Sequence, residues 1–462
     1  MYCISVIGVF RHPPASTDRW ITMKGIWKGT TVLAVVASLL MIRIQGVQGE
    51  QTRVADPLRL ALLVEPSPLT YVSGYTNRFL ALFQHLDKLG DSVEIITTEV
   101  VVEKEKRPQT HLGFPVIYTK GFRLPFYRSM TVSCDWTLVV PRVLLRYRPH
   151  VIHVTTPGIY IFSAILWSRL LQIPLVMSYH THLPVYIRSY LAQPVARILE
   201  PVVWFLLRAV NSLADVTLVT STAIQQEFHR QGMRNIHVWP KAVNTTRFHP
   251  QWRSTEWRKR LTNNHTGACL LLYVGRLAPE KRLHELKAVM NKLSPHYRLA
   301  FVGQGPSQEE LQSLFADCDR TTFLGPLYGE DLQAAYASAD IFVMPSDSET
   351  LGFVVMEAMA SGLAVVGAAA GGIPDLIRNG ETGLLVSTSD VDGYVQAIQS
   401  IGLNQGARRR KMGRQARKST ETWTWDDSMT VLTQCIYPLA MQNRHKRLEQ
   451  RLWKFFKKSK CQ

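Results

Sequence analysis

The chain has 462 residues, of which 46% are hydrophobic and 19% are charged, a length and composition that fit two globular domains with extensions. Its six cysteines are widely scattered, with no C-x-x-C pair and no cluster with histidine, which argues against a disulfide framework or a structural zinc site. The formal net charge is +18, and residues 406–462 alone carry 15 Lys or Arg against four Asp or Glu, a local excess of +11.

The first 55 residues are predicted to be a targeting or signal-anchor segment. A cationic stretch at residues 23–28 precedes a 12-residue apolar run, Thr31–Ile42, which is short for a membrane-spanning helix and is typical of a signal peptide. Signal peptides normally begin at the initiator, so either Met23 is the true start or the segment remains as an anchor.

Strands and helices alternate from residue 57 onward. The apolar run Pro57–Val64 predicts a strand, and the spacing of apolar residues over Tyr75–Leu89 predicts a helix. Two apolar stretches, Ile159–Val176 and Val202–Leu213, are each interrupted by arginine and are predicted to be core helices, not membrane spans. Further strands are predicted at Asp91–Thr97, His150–Val154, Leu175–Ser178 and Val216–Val219, and further helices at Gly158–Leu171 and Val195–Leu213.

The same pattern restarts after a polar segment at residues 247–266. Its strands are predicted at Cys269–Val274, Arg298–Val302, Thr322–Leu324, Ile341–Val343, Ala364–Val366 and Gly383–Val386. The predicted fold class is therefore α/β, with two doubly wound Rossmann-like domains that face a cleft. The predicted bounds are 56–248 and 249–428, followed by a C-terminal helix and a basic, aromatic tail at 429–462.

Two glutamates, Glu349 and Glu357, flank a predicted turn from a buried strand into a helix. The strand is Ala339–Pro345, the helix is Phe353–Ser361, and Gly352 ends the loop between them. Unpaired backbone N–H groups at such a helix start form an anion site. Carboxylates on either side accept hydrogen bonds from sugar hydroxyls, so the motif predicts a nucleotide-sugar site.

In each predicted domain, a further candidate loop follows the first strand: the loop with Arg276 and Lys281 in the second domain, and the loop with Gly74 in the first. Arg276 and Lys281 would project into the cleft, where two cations stabilise a departing diphosphate, the alternative being an ion pair with Glu280. Gly74 would allow a phosphate or sugar to approach the backbone closely, the alternative being a plain N-terminal turn. No G-x-G-x-x-G motif accompanies Gly74, so a dinucleotide cofactor is disfavoured.

Two histidines, His180 and His182, follow another predicted strand end. His180 is placed to donate to a sugar oxygen or to an acidic group on the sugar, and His182 is a second candidate. Gly371 and Gly372 predict another flexible loop beside the cleft. The D-x-D sequence at 317–319 lies away from the strand ends and is interpreted as a solvated surface, not a metal site.

With these motifs, the chain from Leu58 to Asp426 resembles the retaining, metal-independent nucleotide-sugar glycosyltransferases of family 4, which have the GT-B architecture. Gly275-Arg276 with Lys281, and Glu349-x7-Glu357, carry that resemblance. More narrowly, the chain resembles the sulfoquinovosyl-diacylglycerol synthases of plants and cyanobacteria. That resemblance rests on Val64-Glu-Pro-Ser-Pro, Tyr71-Val-Ser-Gly74-Tyr, Asn77-Arg-Phe, Ser178-Tyr-His-Thr-His182, Pro184-Val-Tyr-Ile187 and Ser348-Glu-Thr-Leu-Gly-Phe-Val-Val355.

The resemblance implies a role for each matching position. Glu357 would bind the ribose hydroxyls, Arg276 and Lys281 the diphosphate, and Glu349 and His180 the donor sugar. The remaining implied contacts are backbone N–H groups of Gly352, Phe353 and Val354. Lys241-Ala-Val-Asn244 departs from the usual Lys/Asn-Gly-Val-Asp, which leaves the contacts of that loop open. The candidates for binding a sulfonate are Lys241, Arg188, His180 and His182.

The implied reaction is transfer of sulfoquinovose from UDP-sulfoquinovose to diacylglycerol with retention, with no metal or other cofactor. Three alternatives stay open: a lipid glycosyltransferase using UDP-glucose or a mannose donor, a nucleotide-sugar epimerase, and a non-catalytic membrane scaffold of the same fold. The basic residues beside Trp453, Phe455 and Phe456 favour an anionic membrane surface over nucleic acid as partner. A plastid membrane is the expected location. Residence in the endoplasmic reticulum is the alternative, because sequons begin at Asn244 and Asn264.

Overall fold

The computed structural model describes residues 57–70, 74–98, 102–124 and 127–459. At residues 124–130 and 454–459 it describes the backbone only. Residues from Pro57 onward form one compact unit. The predicted targeting segment at 1–55 lies outside the described residues. Within the described residues, no helix has both the length and the apolar character needed to cross a bilayer. The four cysteines among them, Cys134, Cys269, Cys318 and Cys435, are free thiols.

The first sheet has eight strands in the order β10-β9-β8-β7-β1-β2-β4-β3, all parallel except for the β3–β4 pair. Its central strands are buried on both faces, as near-continuous apolar runs predict for parallel strands. β5 and β6 form a separate antiparallel hairpin. The strands are β1 (Arg59–Val64), β2 (Ser92–Thr98), β3 (Thr110–His111), β4 (Phe114–Thr119), β5 (Gly121–Leu124), β6 (Tyr127–Ser133), β7 (Val151–Thr156), β8 (Leu175–Tyr179), β9 (Val216–Val219) and β10 (Ile236–Val238).

Helices cover both faces of this sheet. The first of them buries Phe79, Leu82, Phe83 and Leu86, the apolar residues whose spacing predicted it. The helices are α1 (Gly74–Lys88), α2 (Val139–Tyr147), α3 (Tyr160–Leu171), α4 (Leu183–Tyr190), α5 (Gln193–Leu213) and α6 (Thr222–Arg230).

The second sheet has six parallel strands in the order β13-β12-β11-β14-β15-β16. This is the doubly wound order, in which the chain returns to the centre of the sheet after its third strand. The strands are β11 (Cys269–Val274), β12 (Tyr297–Val302), β13 (Thr321–Phe323), β14 (Ile341–Met344), β15 (Ala364–Ala368) and β16 (Gly383–Val386). The helices of this domain are α7 (Thr255–Leu261), α8 (Glu285–Lys292), α9 (Gln308–Leu314), α10 (Gly329–Ala337), α11 (Phe353–Ala360), α12 (Val391–Ile401) and α13 (Gly406–Thr420).

The end of the chain returns to the first sheet. After α14 (Trp425–Val431), a π-helical turn leads into α15 (Tyr437–Ser459). Met429, Leu432, Ile436, Tyr437 and Ala440 are buried in the same core as β1, β2 and α1. Arg444 pairs with the fully buried Asp215 at 2.8 Å, which fixes α15 against the end of α5 and the start of β9. The first domain is therefore completed by the last residues of the chain.

The predicted α/β architecture with two Rossmann-like domains is confirmed, and each predicted strand named above overlaps an observed one. One expectation needs correction: α3 and α5 are not enclosed core helices. Each has an inner face against the sheet and an outer face of large apolar side chains in solvent. Six residues of this outer apolar face are between 48% and 70% exposed: Phe162, Leu166, Leu170, Ile198, Val202 and Phe205.

The basic C-terminal region is also partly structural. Arg409 of α13 donates to the carbonyls of Ile401 and Gly402 and pairs with Asp340 at 3.2 Å. Arg417 donates to three carbonyls around the end of α11 and the loop before α7. These arginines hold the second domain together, so only part of the local charge excess faces outward. Phe455 and Phe456, which were predicted to contact a membrane surface, have side chains that lie outside the described part of the structure.

Candidate active site

The carboxyl ends of the two sheets face each other across a cleft. In the second sheet the direction of winding reverses between β11 and β14, and in the first sheet between β1 and β7. Ligands of doubly wound proteins bind outside the strand ends at such a point. The loops after β11 and β14 carry Arg276, Lys281 and Glu349, while His180 directly follows β8. The topology thus brings most of the predicted site residues to one place.

Lys281 and Glu349 form an ion pair at the centre of the second domain's cleft edge. The Lys281 Nζ lies 2.6 Å from Glu349 Oε1, and both side chains are mostly buried. Burial by itself lowers the pKa of Lys281, but the Glu349 carboxylate outweighs it and holds that pKa above the ordinary value. Lys281 is therefore a fixed positive charge in a poorly solvated setting, where it interacts strongly with an approaching phosphate.

Arg276 lies in a hydrogen-bonded group with Glu280 and Tyr190. Its Nη1 is 3.6 Å from Glu280 Oε1, and its Nη2 donates to the Tyr190 hydroxyl at 2.9 Å. That hydroxyl donates in turn to Glu280 Oε2 at 2.9 Å. The ion pair with Glu280, given above as the alternative to a diphosphate contact, is therefore present in the structure. Glu280 itself is buried. The group joins α4 of the first domain to the β11 loop of the second.

The predicted anion site lies at the start of α11. Gly352 has φ = +87°, a left-handed conformation that favours glycine, and a Cβ there would lie 3.0 Å from Leu376. The first-turn N–H groups of Gly352, Phe353 and Val354 have no intrahelical acceptor, because a helix leaves its first N–H groups unpaired. Gly371 and Gly372 let a second loop pack directly on Glu349, whose carbonyl accepts from the Gly372 N–H at 2.6 Å. The loop before α11 is thus packed against the loop that contains Gly371 and Gly372.

Glu357 lies one turn further along α11 and is buried. Its Oε2 accepts a hydrogen bond from the Tyr336 hydroxyl at 2.9 Å. Burial raises the pKa of Glu357 to about 7, against smaller lowering effects from Tyr336 and Arg247. The carboxyl group borders a pocket between the domains that is also lined by Asn77, Ala81, Asn244, Phe353 and Trp425. A nucleoside placed there would meet a carboxylate, an aromatic wall and the start of α11.

The first domain contributes Gly74 and His180 to the opposite wall. A Cβ at Gly74 would lie 2.5 Å from the Phe353 ring, so the group that approaches this glycine is a side chain of the other domain. The His180 carbonyl accepts from Thr350 Oγ1 at 3.1 Å, a second contact across the cleft. Burial, with Arg78 and His153 nearby, holds the pKa of His180 well below its usual value. The ring is therefore neutral, with Nε2 3.0 Å from Ser178 Oγ.

Comparison with known proteins agrees with this geometry. The family model "Glycosyltransferase Family 4" matches residues 72–247, and "Glycosyl transferases group 1" matches residues 254–419. The chain is 40% identical over 393 residues to sulfoquinovosyl transferase SQD2 of Arabidopsis thaliana, covering 84% of this chain and 75% of that protein. A GDP-mannose-dependent α-mannosyltransferase of Corynebacterium glutamicum is 31% identical over 379 residues, covering 82% of this chain and 88% of that protein.

The chain belongs to the family 4 glycosyltransferases. Solved structures support the GT-B fold of this retaining glycosyltransferase. Sucrose-phosphate synthase from Thermosynechococcus elongatus superposes with a TM-score of 0.68 at 22% identity, covering 83% of this chain and 99% of that one. The Anabaena HepE protein, solved in complex with UDP and glucose, superposes with a TM-score of 0.63 at 18% identity, covering 82% of this chain and 99% of that one.

The structure does not bring the other sulfonate candidates of this glycosyltransferase to the ion pair. His182 packs inside the first domain, with Nε2 3.1 Å from Glu227 and its ring against Tyr179 and Trp204. Arg188 pairs with Glu200 of α5 at 3.7 Å. Each side chain has an acidic partner within the first domain, and the sulfonate role of both stays a prediction.

Lys241 of the glycosyltransferase is held at the domain junction. Its Nζ donates to the Asp375 carbonyl and lies 4.2 Å from the centre of the Trp423 ring. The neighbouring Thr222 also binds Asp375, whose Oδ2 accepts from its N–H at 2.6 Å. These contacts give Lys241 a bridging position between the domains. The ammonium group has three N–H donors, so these contacts do not prevent Lys241 from binding a sulfonate, and that role stays a prediction.

The D-x-D sequence of the glycosyltransferase is a surface feature. Asp317 is exposed and pairs with Lys287 of α8. Among the described residues, no group of three His, Cys, Asp or Glu side chains is arranged to hold a metal ion.

Sequence reasoning missed two tyrosines of this site and the setting of one buried arginine. Tyr336, on the preceding helix α10, donates a hydrogen bond to Glu357. Tyr190, on α4 of the first domain, accepts one from Arg276. Arg78 lies on the buried face of α1, at a position whose helical spacing predicts an apolar residue. A charged residue on the apolar face of a predicted helix is the sequence pattern that could have drawn attention to Arg78.

Proposed function

We propose that this enzyme transfers sulfoquinovose from UDP-sulfoquinovose to diacylglycerol, with retention, at an anionic membrane surface. The observation that carries the proposal is the 40% identity to a sulfoquinovosyl transferase over both domains. Identity to the mannosyltransferases of the same family is lower, at 31–32%. The contacts of Glu357, Lys281 and the α11 start fit a UDP-sugar but do not distinguish one sugar from another.

The course of the reaction follows from the resemblance to the retaining glycosyltransferases of this family. The bond between the anomeric carbon and the diphosphate oxygen breaks, and the acceptor hydroxyl oxygen bonds to the same face of that carbon. The hydroxyl proton passes to the departing diphosphate oxygen, which leaves as UDP. Lys281, Arg276 and the first-turn N–H groups of α11 stabilise the charge that develops on the diphosphate. Because these groups supply the positive charge, the proposal requires no metal ion, and activity should persist in a chelator.

The test of the donor is a panel assay on the purified full-length chain. UDP-sulfoquinovose, UDP-glucose and GDP-mannose are each supplied with diacylglycerol in vesicles, and the lipid product is measured. We expect transfer from UDP-sulfoquinovose to exceed transfer from the other two donors by at least about 100-fold, since a site that binds a polar group rejects analogues that lack it. Efficient transfer from GDP-mannose would instead support the mannosyltransferase alternative. UDP binding without turnover of any donor would support a scaffold.

The pH dependence of donor binding tests the position of Glu357. Its pKa is raised to about 7, so the group is a carboxylate above that pH and is protonated below it. Only the carboxylate accepts two ribose hydrogen bonds. We therefore expect the affinity for UDP-sulfoquinovose to be greatest above pH 7 and to fall several-fold between pH 7.5 and pH 6, with a limit of about tenfold per pH unit. Calorimetric titrations across this range measure the effect, since neither the sulfonate nor the diphosphate diester titrates there. The Glu357→Gln variant should bind weakly and without that pH dependence.

The outer apolar face supports a membrane-bound acceptor. Ile198, Val202 and Phe205 recur at helical spacing along α5, and α5 contacts α3, which carries the exposed Phe162 and Leu166. Exposed apolar residues at this spacing are typical of a helix lying in the lipid headgroup region. α3 and α5 together carry Arg169, Arg197 and Arg208 against a single acidic residue, Glu200. This charge suits an anionic lipid surface.

Vesicle binding tests this surface. We expect Ile198→Glu/Phe205→Glu to lower co-sedimentation with vesicles of anionic lipid by at least about tenfold, because two charges replace apolar groups in contact with lipid. The matched control is Leu314→Glu, an exposed apolar residue on the second domain. Its vesicle binding should equal that of the unchanged chain. Equal loss in both variants, or no loss in the double variant, would contradict the assignment.

A plastid membrane is the proposed location, with residues 1–55 as the targeting or anchoring segment. The chemistry of the proposed product supports this, since sulfolipid synthesis is the function implied by the resemblance to plant enzymes. Imaging of a C-terminal fluorescent fusion in the cells of origin would test the location against the endoplasmic reticulum. Glycosylation at Asn244 or Asn264, measured by mass spectrometry, would indicate that the chain had entered the endoplasmic reticulum lumen.

A further inference from the structure

Arg78 is a buried cation that has no paired carboxylate among the described residues. It lies one turn into α1, four residues after Gly74, and is only 1% exposed. Its Nη2 donates to the Pro240 carbonyl at a long 3.4 Å, while Nε and Nη1 reach no acceptor among the described residues. Burial lowers the pKa of Arg78 to about 9, so the guanidinium remains largely protonated at neutral pH.

The immediate surroundings of Arg78 are aromatic. The guanidinium carbon lies 4.7 Å from the centre of the Trp239 ring and 5.9 Å from that of the Phe353 ring. Cation–π contacts offset part of the cost of burying a charge, but they leave the N–H donors in the guanidinium plane unpaired. A neutral side chain of similar volume would be less costly for the fold than this arginine. The position is therefore explained by something that binds the arginine, not by stability.

Other donors without acceptors lie beside it. The buried Trp239 Nε1–H, which can only donate, has no acceptor among the described residues. His153 Nε2 also has no partner there, while its Nδ1 lies 3.0 Å from the Tyr437 hydroxyl, which can donate to it and so place the proton on Nε2. The Trp239 ring is 5.6 Å from that of His153 and 6.0 Å from that of His180. The group has several donors and no carboxylate, which is the composition of an anion site.

The position of the group within the cleft indicates which part of a ligand it would meet. Phe353 begins α11, the anion cradle of the second domain, and its ring lies between Gly74 and Arg78. His180, the residue assigned to the donor sugar by resemblance, lies on the same wall as Trp239. The diphosphate has Lys281 and the α11 N–H groups on the opposite domain. Arg78 therefore lies 5.9 Å from the Phe353 ring of the second domain and, through Trp239, next to His180, the residue that the resemblance assigns to the donor sugar.

We infer that Arg78, with Trp239 and His180 beside it, binds the sulfonate group of the donor sugar. This inference rests on the proposed function and specifies the residue that selects its substrate. A sulfonate offers three acceptor oxygens and a charge that persists at every physiological pH, and a guanidinium binds two such oxygens at once. The diphosphate of the same donor is the other anion that could reach Arg78, so the test separates the two.

The decisive variant is Arg78→Met, which keeps a long apolar side chain and removes the charge. Affinities for UDP, UDP-glucose and UDP-sulfoquinovose are measured by calorimetry on the full chain. We expect the affinity for UDP-sulfoquinovose to fall by at least about 30-fold, because the sulfonate would then be buried without its partner. The affinities for UDP and UDP-glucose should stay within about twofold. Lys292→Met, which removes an exposed lysine paired with Asp392, is the control for net charge and should leave all three affinities unchanged.

A thermal melt gives a second, independent readout. Because Arg78 is buried without an ion pair, Arg78→Met should leave the midpoint of the free protein unchanged or raise it. A lower midpoint together with weaker binding of all three ligands would show a structural role and overturn the inference. Equal loss of UDP affinity would assign Arg78 to the diphosphate and overturn it as well.

Failure of the proposed function is distinguishable from failure of this site. If the unchanged protein binds UDP-glucose as tightly as UDP-sulfoquinovose, the proposed donor is wrong and the sulfonate site with it. If the unchanged protein prefers UDP-sulfoquinovose and Arg78→Met keeps that preference, the donor stands and the assignment of Arg78 alone is overturned.

Discussion

Replacing Lys281 with methionine is expected to lower kcat by about 10²–10³-fold, the size of effect seen when a fixed group that stabilises developing charge is removed. The Lys281 Nζ lies in a mostly buried setting, where its charge acts on the leaving diphosphate with little screening. The KM for the donor should change less than kcat, because negative charge builds up on the diphosphate oxygen as the bond breaks. Initial rates over a range of donor concentrations separate the two quantities.

The ion pair with Glu349 complicates this variant. Removing one partner of a buried pair leaves the other charge unpaired, at a cost of about 3–5 kcal/mol in folding free energy. The double variant Lys281→Met/Glu349→Gln avoids the unpaired charge and should melt closer to the unchanged protein while remaining as inactive as the single variant. Recovery of turnover in the double variant would show that Lys281 acts only by neutralising Glu349, and the catalytic assignment would then be wrong.

The Glu357→Ala variant is expected to abolish transfer while the fold remains intact. The carboxyl group is the acceptor for the ribose hydroxyls, so the affinity for UDP should fall by at least about 30-fold, the loss of two charge-assisted hydrogen bonds. In the fold, the Glu357 carboxyl group accepts a hydrogen bond from the Tyr336 hydroxyl. Leaving that hydroxyl without an acceptor costs only about 1–3 kcal/mol in folding free energy. Tyr336→Phe is the matched control, because it removes the same hydrogen bond and keeps the carboxyl group. Near-normal turnover by Glu357→Ala would contradict the donor site.

Much of the fold and the second domain's half of the site could be predicted from the sequence. The strands β11 and β14 are continuous apolar runs, and each is followed by a loop that contains glycine and charged residues. Since parallel strands place their carboxyl ends at one edge, Arg276, Lys281 and Glu349 had to lie close together. Short-range pattern and the geometry of parallel sheets are enough for that prediction.

The remaining features depend on contacts between residues far apart in the chain. Phe353 fills the space beside Gly74, and Arg276 binds Tyr190 across 86 residues. Neither contact leaves a local pattern, because each arises only when two finished domains meet. Arg78 was concealed for a different reason: its place on an apolar helix face is visible in the sequence, but the absence of a counter-charge requires knowledge of every neighbour.

The return of α15 to the first sheet has a consequence for how the protein forms during synthesis. The core of the first domain includes Met429, Leu432 and Tyr437, which are translated after the whole second domain. The second domain, whose core lies between Val243 and Ala416, can close as soon as its own sequence has left the ribosome. The usual amino-to-carboxyl order of domain completion is therefore reversed, and the domain that begins first is finished last. Ribosome-stalled chains in which the residues up to about 425 have left the exit tunnel should contain a protease-resistant second domain and a first domain that is still sensitive to cleavage.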